Sequence, residues 1–250
     1  MLKEERQKKI IDILNIENKV IASELSSRLK VSEDTIRRDL KELDMQGLVR
    51  RVRKGALRIG PPITQFTYRE HDNTELKRVL AAKALPLIKE DTVILIDGSS
   101  TNLFLVKLIP IDFSATIITN SPPIAISLSN HKNINIIMLG GSLYKNSMIN
   151  VGIETIRSLE HIRVDTYIIG VYNIDFENGM SVPTQTEAEV KRKMIEISTE
   201  VIGLISADKF ATVSNYIVAP AKDINYIVTH DLPETTRHEF SKIKTINIID

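Results

Sequence analysis

Residues 31–47 read VSEDTIRRDLKELDMQG, and their pattern indicates the architecture of the first quarter of the chain. Ser32 is a favourable N-cap, and Gly47 supplies the left-handed residue at which a helix can stop. Three apolar residues at spacings of four and three predict one narrow buried stripe on that helix: Ile36, Leu40 and Leu43. The sequence therefore predicts a helix from Ser32 to about Gln46, with one face anchored in a core.

Two shorter helices are predicted ahead of this one. Apolar residues lie on one side of a helical wheel over residues 3–15, and they recur at spacing four over residues 21–29. On the third helix, Asp34, Arg38 and Lys41 project from the face opposite the apolar stripe. A helix that is anchored on one face and polar on the other can enter a major groove as a recognition helix.

The segment that follows, residues 48–59, predicts a basic hairpin with its turn at Lys54-Gly55. Five cations fall within nine residues, with no acid between them: Arg50, Arg51, Arg53, Lys54 and Arg58. Such a run is costly unless phosphates are nearby. The third helix taken alone also fits a solvated helix with charge pairs across one turn, such as Arg38 with Glu42. Helices and hairpin together predict a winged helix-turn-helix that binds double-stranded DNA.

Ten residues form the predicted DNA-contacting set. Four polar residues near the start of the third helix are expected nearest to base edges: Ser32, Asp34, Thr35 and Arg38. Four cations of the hairpin are expected to contact phosphates or the minor groove: Arg50, Arg51, Arg53 and Lys54. Arg37 and Lys41 complete the set.

The formal net charge of +1 conceals a division of the chain. Residues 1–60 carry 15 basic and 10 acidic residues, whereas residues 61–250 carry 18 basic and 22 acidic residues. Pro61-Pro62 and the polar stretch after them predict a linker at 61–74. It separates a DNA-binding domain at 1–60 from a second domain at 75–250.

Composition excludes several classes of protein. Without cysteine there is no disulfide framework, thiolate metal ligand or Cys nucleophile. No apolar run approaches the ~18 residues that would span a bilayer, and the five His are scattered. We expect a soluble, cytoplasmic protein with no metal, no cofactor and no membrane partner.

The second domain alternates short runs rich in Ile and Val with helical segments. The runs lie at 93–96, 116–119, 134–139, 165–171, 201–206, 216–218, 224–229 and 245–249. Continuous apolar runs suit strands buried on both faces, as in a parallel sheet covered by helices. The prediction is a mostly parallel, doubly wound α/β domain that binds ligands at the carboxyl ends of its strands.

Small polar residues follow three of these strands. They are Asp97-Gly98-Ser99-Ser100-Thr101, Thr119-Asn120-Ser121 and Gly140-Gly141-Ser142. The first loop runs into a helix, so its backbone N–H groups and hydroxyls suit an anion, although Ser and Thr also cap helices without any ligand. Lys209 follows another buried strand, where it could meet a phosphate or form a surface turn. On composition alone, Glu187 and Lys191 are expected on the exposed face of a helix with charge pairs across one turn rather than in a ligand site.

The stretch ELSSRLKVSEDTIRRDLKELDMQGLVRRVRKGA closely resembles the N-terminal signature of the DeoR family of bacterial transcription regulators. The segments DGSST, TNS, LGGS, TEAEVK and DKF resemble successive motifs of the DeoR sensor domain, so the resemblance covers nearly the whole chain. It implies a fold similar to ribose-5-phosphate isomerase and CoA-transferase-like proteins. It also implies a repressor of carbohydrate-metabolism genes under the control of a phosphorylated sugar. Because a single winged helix contacts one half-site, we expect a homo-oligomer, dimer or tetramer.

The resemblance assigns an effector site. Gly98, Ser99, Ser100 and Thr101 would hold the phosphate, with Lys209 as the counter-charge. The residues that would line the remainder are Asp97, Asn120, Gly140, Gly141, Glu187 and Lys191.

Two positions depart from the family pattern. The wing turn reads Arg53-Lys54-Gly55-Ala56 where His-Gly-Gly-Ala is usual, and Asn173 stands where Gly is usual in a Gly-Ile-Asp stretch. Asn tolerates a left-handed backbone, so that turn is expected to persist with a side chain that alters ligand choice.

Two other functions remain open from sequence. One is a sugar-phosphate isomerase with an appended basic domain, which would need a positioned carboxylate base; no acid-rich turn corresponds to it, so we expect no enzyme. The other is a nucleic-acid scaffold without an effector.

Overall fold

The computed structural model describes residues 1–60 and 64–250. The N-terminal module consists of helices α1 (Lys3–Glu17), α2 (Ala22–Leu29) and α3 (Glu33–Met45) and strands β1 (Lys19–Ile21), β2 (Arg50–Val52) and β3 (Gly55–Leu57). The strands form one antiparallel sheet in the order β1-β3-β2. The predicted winged helix-turn-helix is confirmed. Strand β1 was not predicted, because three residues are too few to show a period.

Helix α3 is held as the sequence predicts. Its three apolar residues are at most 1% exposed: Ile36, Leu40 and Leu43. Ser32 is the N-cap, and its Oγ accepts a hydrogen bond from the Thr35 N–H at 3.2 Å. Gly47 has φ 71°, and the Leu48 N–H bonds to the Leu43 carbonyl at 2.9 Å, which is the closing bond of a Schellman motif.

A nearly buried ion pair fixes α3 against α1. Arg6 Nη2 donates to Asp39 Oδ1 at 3.1 Å, and the Asp39 side chain is 3% exposed. The hydrogen bond to Asp39 raises the pKa of Arg6. The pair therefore fixes the orientation of α3 relative to α1.

The larger module begins with α4 (Phe66–His71) and α5 (Thr74–Ala84). Its further helices are α6 (Ser100–Val106), α7 (Pro122–Leu128), α8 (Ile153–Arg157), α9 (Gln185–Glu196) and α10 (Glu234–Phe240). Its first strands are β4 (Val93–Ile96), β5 (Ala115–Thr119), β6 (Ile134–Met138), β7 (Ser142–Tyr144), β8 (Ile149–Val151) and β9 (Val164–Ile169). They are followed by β10 (Asn173–Asp175), β11 (Gly179–Val182), β12 (Ser198–Leu204), β13 (Tyr216–Ala219), β14 (Tyr226–Val228) and β15 (Asn247–Ile249).

Seven of these strands form one parallel sheet in the order β15-β14-β12-β9-β4-β5-β6. Both faces of the sheet are buried: Ile94 and Ile96 of β4 lie in one apolar cluster and Leu95 lies in the other. The predicted doubly wound α/β domain is confirmed. Strands β10, β11 and β13 form a separate antiparallel sheet, and β7 pairs with β8, so the run at 216–218 lies outside the parallel sheet.

The strand order reverses direction between β4 and β9. From β4 the chain proceeds through β5 to β6 on one side, whereas β9, β12, β14 and β15 extend on the other side. The loops that leave β4 and β9 therefore diverge at their carboxyl ends and open a crevice.

The expected linker at 61–74 is partly folded. Pro61, Pro62 and Ile63 lie outside the described residues, but α4 occupies Phe66–His71 and Phe66 is buried in the core beside the sheet. Helix α4 was not predicted because it has only six residues and one buried side chain, Phe66, which is too short for a hydrophobic periodicity to be recognised. Within 1–60 and 64–250, none of the helices combines the length and apolar character required to span a bilayer.

Candidate functional site

A cavity of about 280 Å³ lies at the reversal point of the sheet. Six of the predicted effector residues line it: Gly98, Ser99, Ser100, Thr101, Glu187 and Lys209. Gly170, Val171 and Tyr172, which follow β9, form another part of its wall. The fold thus brings residues more than 100 positions apart in sequence to one small cavity.

The loop after β4 begins helix α6 at the cavity wall. Ser99 is the N-cap, and its Oγ accepts hydrogen bonds from the N–H groups of Thr101 and Asn102 at 3.1 and 3.3 Å. A Cβ at Gly98 would lie 2.1 Å from Ile149 Cγ2, so no larger residue fits there. Ser99 therefore acts first as a structural cap, while the start of α6 keeps its dipole directed at the cavity.

Lys209 closes one side of the cavity. It ends the 3₁₀ turn Ala207–Lys209 after β12, and its Nζ donates to the Val171 carbonyl at 2.7 Å. Burial lowers the pKa of Lys209 to about 8, with nearby cations acting in the same direction and Asp208 opposing them. An anion in the cavity would relieve this destabilised positive charge.

Two further cations in the cavity wall were missed by the sequence analysis. Arg69 of α4 donates from Nη2 to the Asn146 carbonyl at 2.7 Å, and its Nε is buried without a hydrogen-bond partner. Lys77 of α5 donates to the carbonyls of Arg69 and Asp72. Burial lowers the pKa of both groups. Arg69 lies in the polar stretch predicted to be a linker, and Lys77 lies just after it in the second domain; neither belongs to a motif that indicates a ligand site.

Glu187 and Tyr172 add a carboxyl group and a phenol to the wall. Burial raises the pKa of Glu187, opposed by the Lys191 ammonium 3.8 Å away. Burial also raises the pKa of Tyr172 to about 12, opposed by Arg69. Tyr172 therefore remains a protonated phenol at neutral pH.

Asp97 and Lys191 lie beneath the cavity and do not line it, which corrects their expected place. They are 1% and 2% exposed and form an ion pair with each other. Asp97 also accepts hydrogen bonds from the Tyr167 hydroxyl at 2.6 Å and from the Gly170 N–H at 2.5 Å. Lys191 donates to the Gly170 carbonyl at 2.7 Å. This pair ties the loops after β4 and β9 together.

Asn120, Gly140 and Gly141 also lie outside the cavity wall, again in contrast to the expectation. Asn120 Nδ2 donates to the Asn150 carbonyl at 2.9 Å, and the Gly140 carbonyl accepts from Thr155 Oγ1 at 2.6 Å. Gly141 has φ 131° and leaves no room for a Cβ beside Thr155. These three residues hold the β7–β8 hairpin and the turn into α8.

Asn173 is not a left-handed turn residue beside the ligand site, which is a further correction. It begins strand β10, is 0% exposed, and its Nδ2 donates to Thr212 Oγ1 at 2.5 Å. It lies against Gly60, at the junction of the two modules. The strand pairing of β10 with β11 imposes an extended backbone, which a short sequence pattern does not reveal.

The outer face of α3 is exposed and carries internal charge pairs. Arg37 pairs with Glu33 at 2.7 Å and Arg38 pairs with Asp34 at 2.6 Å, each one helical turn apart. Ser32, Arg38 and Lys41 are exposed and Thr35 is half-buried. Exposed pairs of this kind are worth less than about 1 kcal/mol, so DNA phosphates can compete for the two arginines.

The wing presents Arg51 and Arg53 to solvent, while Arg50 is half-buried. Lys54, at the tip, pairs with Glu177 of the larger module at 3.4 Å. The cations predicted to contact phosphates are therefore close together on β2 and the turn, and one of them is engaged by a carboxylate.

Comparison with known proteins agrees with both modules. Residues 6–61 match the model of the DeoR-like helix-turn-helix domain, and residues 72–231 match the model of the DeoR C-terminal sensor domain. The transcriptional regulator YulB of Bacillus subtilis is 35% identical over 231 residues, which cover 92% of this chain and 89% of YulB. The transcriptional repressor GlcR of the same organism is 34% identical over 236 residues, covering 93% and 90% of the two chains.

Among solved structures, ribose 5-phosphate isomerase A from Neisseria gonorrhoeae is similar with a TM-score of 0.42 and 16% identity, over 59% of this chain and 56% of that chain. The two matched domains, together with relatives that share almost the full length, show that the chain belongs to the DeoR family of helix-turn-helix transcriptional regulators.

Proposed function

We propose that the chain represses genes of carbohydrate metabolism and that a phosphorylated sugar in the cavity controls its affinity for DNA. The observation that carries this proposal is a cation-lined cavity at the start of α6, in the same chain as an exposed basic recognition surface. Residues 1–60 act as the DNA-binding domain. Residues from α4 onward act as the effector-sensing and oligomerisation domain, and no cofactor besides the effector is required.

The chemistry of the cavity favours a sugar phosphate over a neutral sugar. Lys209 and Arg69 supply positive charge, and the start of α6 adds the positive end of a helix dipole. Glu187 and Tyr172 supply groups that can hydrogen-bond to sugar hydroxyls. A volume of about 280 Å³ suits a molecule of this size. The relative GlcR is named a repressor, which supports repression as the direction of control.

A single winged helix reads one half-site, so adequate specificity requires a symmetric dimer or tetramer. We assign the ten residues of the predicted DNA-contacting set to this interface. Ser32, the N-cap of α3, and Thr35 and Arg38 in its amino-terminal half would then face the groove.

Arg38→Ala should reduce preference for the DNA upstream of the chain's own gene by about tenfold to a hundredfold per half-site, because one bidentate base contact is worth about 1–3 kcal/mol of discrimination. The measurement is a mobility shift on this DNA and on a shuffled sequence at physiological salt. Arg157→Ala, an exposed arginine of α8, is the matched control and should retain the preference. If the unmodified protein shows no preference over shuffled DNA, the proposed function is wrong.

Effector affinity should decrease as pH rises through about 8, the pKa of Lys209. A sugar phosphate is mostly a dianion above its second pKa of about 6, so its charge changes little between about pH 7.5 and 9.5. The Lys209 ammonium, in contrast, loses its proton in this range and with it the attraction to the phosphate. Calorimetric titrations at about pH 7.5 and 9.5 should differ by about tenfold in Kd. A Lys209→Met variant should lose this dependence; equal dependence in both proteins would assign it to another group.

One observation favours a second function, sugar-phosphate isomerisation. Glu187 is a buried carboxyl in the cavity wall with a raised pKa, which are the attributes of a general base. Lys191, at 3.8 Å, lowers the pKa of Glu187 against the effect of burial and pairs with the carboxylate that would have to accept the substrate proton, which weakens it as a base. We therefore expect no turnover of ribose 5-phosphate above the rate of a Glu187→Gln variant in a coupled assay.

A further inference from the structure

The winged helix does not stand free of the sensor domain. At the wing tip, Lys54 Nζ lies 3.4 Å from Glu177 Oε1. At the end of the wing, Arg58 Nη2 donates to the Asp208 carbonyl at 2.7 Å. On the opposite side of the wing sheet, Lys19 Nζ lies 3.5 Å from Glu239 Oε1 of α10. Three separate cations of the basic module thus contact acceptors of the sensor domain.

The chain that leaves the wing is also seated on the sensor domain. Arg58 forms a parallel backbone bridge with Thr212. A Cβ at Gly60 would lie 1.9 Å from Asn173 Nδ2, so the backbone passes directly over that buried side chain. Asn173 is itself fixed by Thr212 Oγ1 at 2.5 Å and by Ser214, whose hydroxyl donates to Asn173 Oδ1. This seat has little freedom to move while the contacts persist.

We propose that this arrangement is an autoinhibitory docked state, in which the sensor domain withholds the wing from DNA. The inference rests on the proposed function because it takes the wing as a phosphate-contacting element. While Lys54 pairs with Glu177, a phosphate must compete with that carboxylate for its ammonium, and Glu177 itself would repel the phosphate. The pair alone is exposed and weak, but together with the contacts of Arg58, Lys19 and Gly60 it opposes the release of the wing tip that DNA binding through Lys54 requires.

The docked state also adjoins the cavity. Arg58 is bonded to the carbonyl of Asp208, and the next residue, Lys209, reaches into the cavity. One 3₁₀ turn, Ala207–Lys209, therefore carries both the wing contact and the cavity cation. Because this turn contributes to both, it can link occupancy of the cavity to docking of the wing.

The absence of cysteine from the sequence allows a direct test. In the full-length Lys54→Cys/Glu177→Cys variant, a short bismaleimide should join the two thiols and hold the tip on the sensor domain. The matched control is the same variant capped with N-ethylmaleimide, which carries the same adducts without a link. We expect the cross-linked protein to bind the DNA upstream of its own gene about tenfold or more weakly than the capped protein.

A second pair, Lys19→Cys/Glu239→Cys, locks the same docked state through the other side of the wing sheet and should give the same loss. The inference is overturned if cross-linked and capped proteins bind DNA equally, or if the linked protein binds more tightly. It is also overturned if both thiols of either variant are alkylated readily but never cross-link. Failure of the capped proteins to prefer this DNA over shuffled DNA, with the unmodified chain failing too, would instead refute the proposed function.

Discussion

Asp97→Asn should lower the free energy of unfolding by about 3–5 kcal/mol, the usual cost of removing one partner from a buried ion pair. Lys191 is 2% exposed and would lose its paired carboxylate. The new amide would also present an N–H₂ group to donors that now meet oxygen: the Tyr167 hydroxyl, the Gly170 N–H or the Lys191 ammonium. Denaturant unfolding followed by circular dichroism measures the change.

Two controls separate charge burial from simple loss of an ion pair. Asp97→Asn combined with Lys191→Met removes the buried ammonium that Asp97→Asn alone leaves without its carboxylate, so part of the stability should be recovered. The recovery is only partial because Glu187, 3.8 Å from Lys191, loses its ammonium partner in the double variant. Asp34→Asn removes one partner of the exposed pair with Arg38 and should change stability by less than about 1 kcal/mol. A loss below 1 kcal/mol for Asp97→Asn would show that the network beneath the cavity does not hold the fold.

Lys209→Met should weaken sugar-phosphate binding by about tenfold to a hundredfold, since a hydrogen bond to a charged group is worth about 1.5–3 kcal/mol. The flexible methionine retains much of the lysine stem, so the change removes mainly the charge. Lys222→Met, at an exposed lysine of the same domain, is the matched control and should bind normally. DNA affinity without effector should be unchanged in the control.

A thermal-shift panel of hexose, pentose and polyol phosphates identifies the effector first, because ligand at about 100 times Kd adds about 2.7 kcal/mol of stability. The Kd values of the variants then follow from calorimetry with the compound that binds best. Equal affinity of Lys209→Met and the unmodified chain would place the phosphate elsewhere in the cavity, toward Arg69. No stabilisation by any member of the panel would favour a DNA-binding protein without such an effector.

The elements that were predicted correctly are those whose signals lie within contiguous residues. The stripe of Ile36, Leu40 and Leu43, the cap at Ser32 and the stop at Gly47 are all encoded within one helix, so α3 follows from its own residues. The Ile and Val runs likewise predict a parallel sheet because burial on both faces requires them. The loop Gly98–Thr101 and Lys209 were identified as cavity residues because the carboxyl ends of parallel strands meet at one edge.

Tertiary contacts decided the remainder of the site. Asp97 and Lys191 are 94 positions apart, and their spacing in sequence does not show that they neutralise each other beneath the cavity. Arg69 reaches the cavity only because α4 packs against the sheet through Phe66. Whether a side chain lines the cavity or lies beneath it depends on how the other elements pack, and the hydrophobic periodicity of one segment does not show this.

The charge division of the chain shows the same distinction. Charge and hydrophobic periodicity are properties of contiguous residues, so the order of a basic winged helix and an acidic α/β domain follows from the sequence alone. The contacts of Lys54, Arg58 and Lys19 with the sensor domain become visible only in the folded chain. Each of these contacts joins residues more than 100 positions apart, and their distance is set by how two folded units pack.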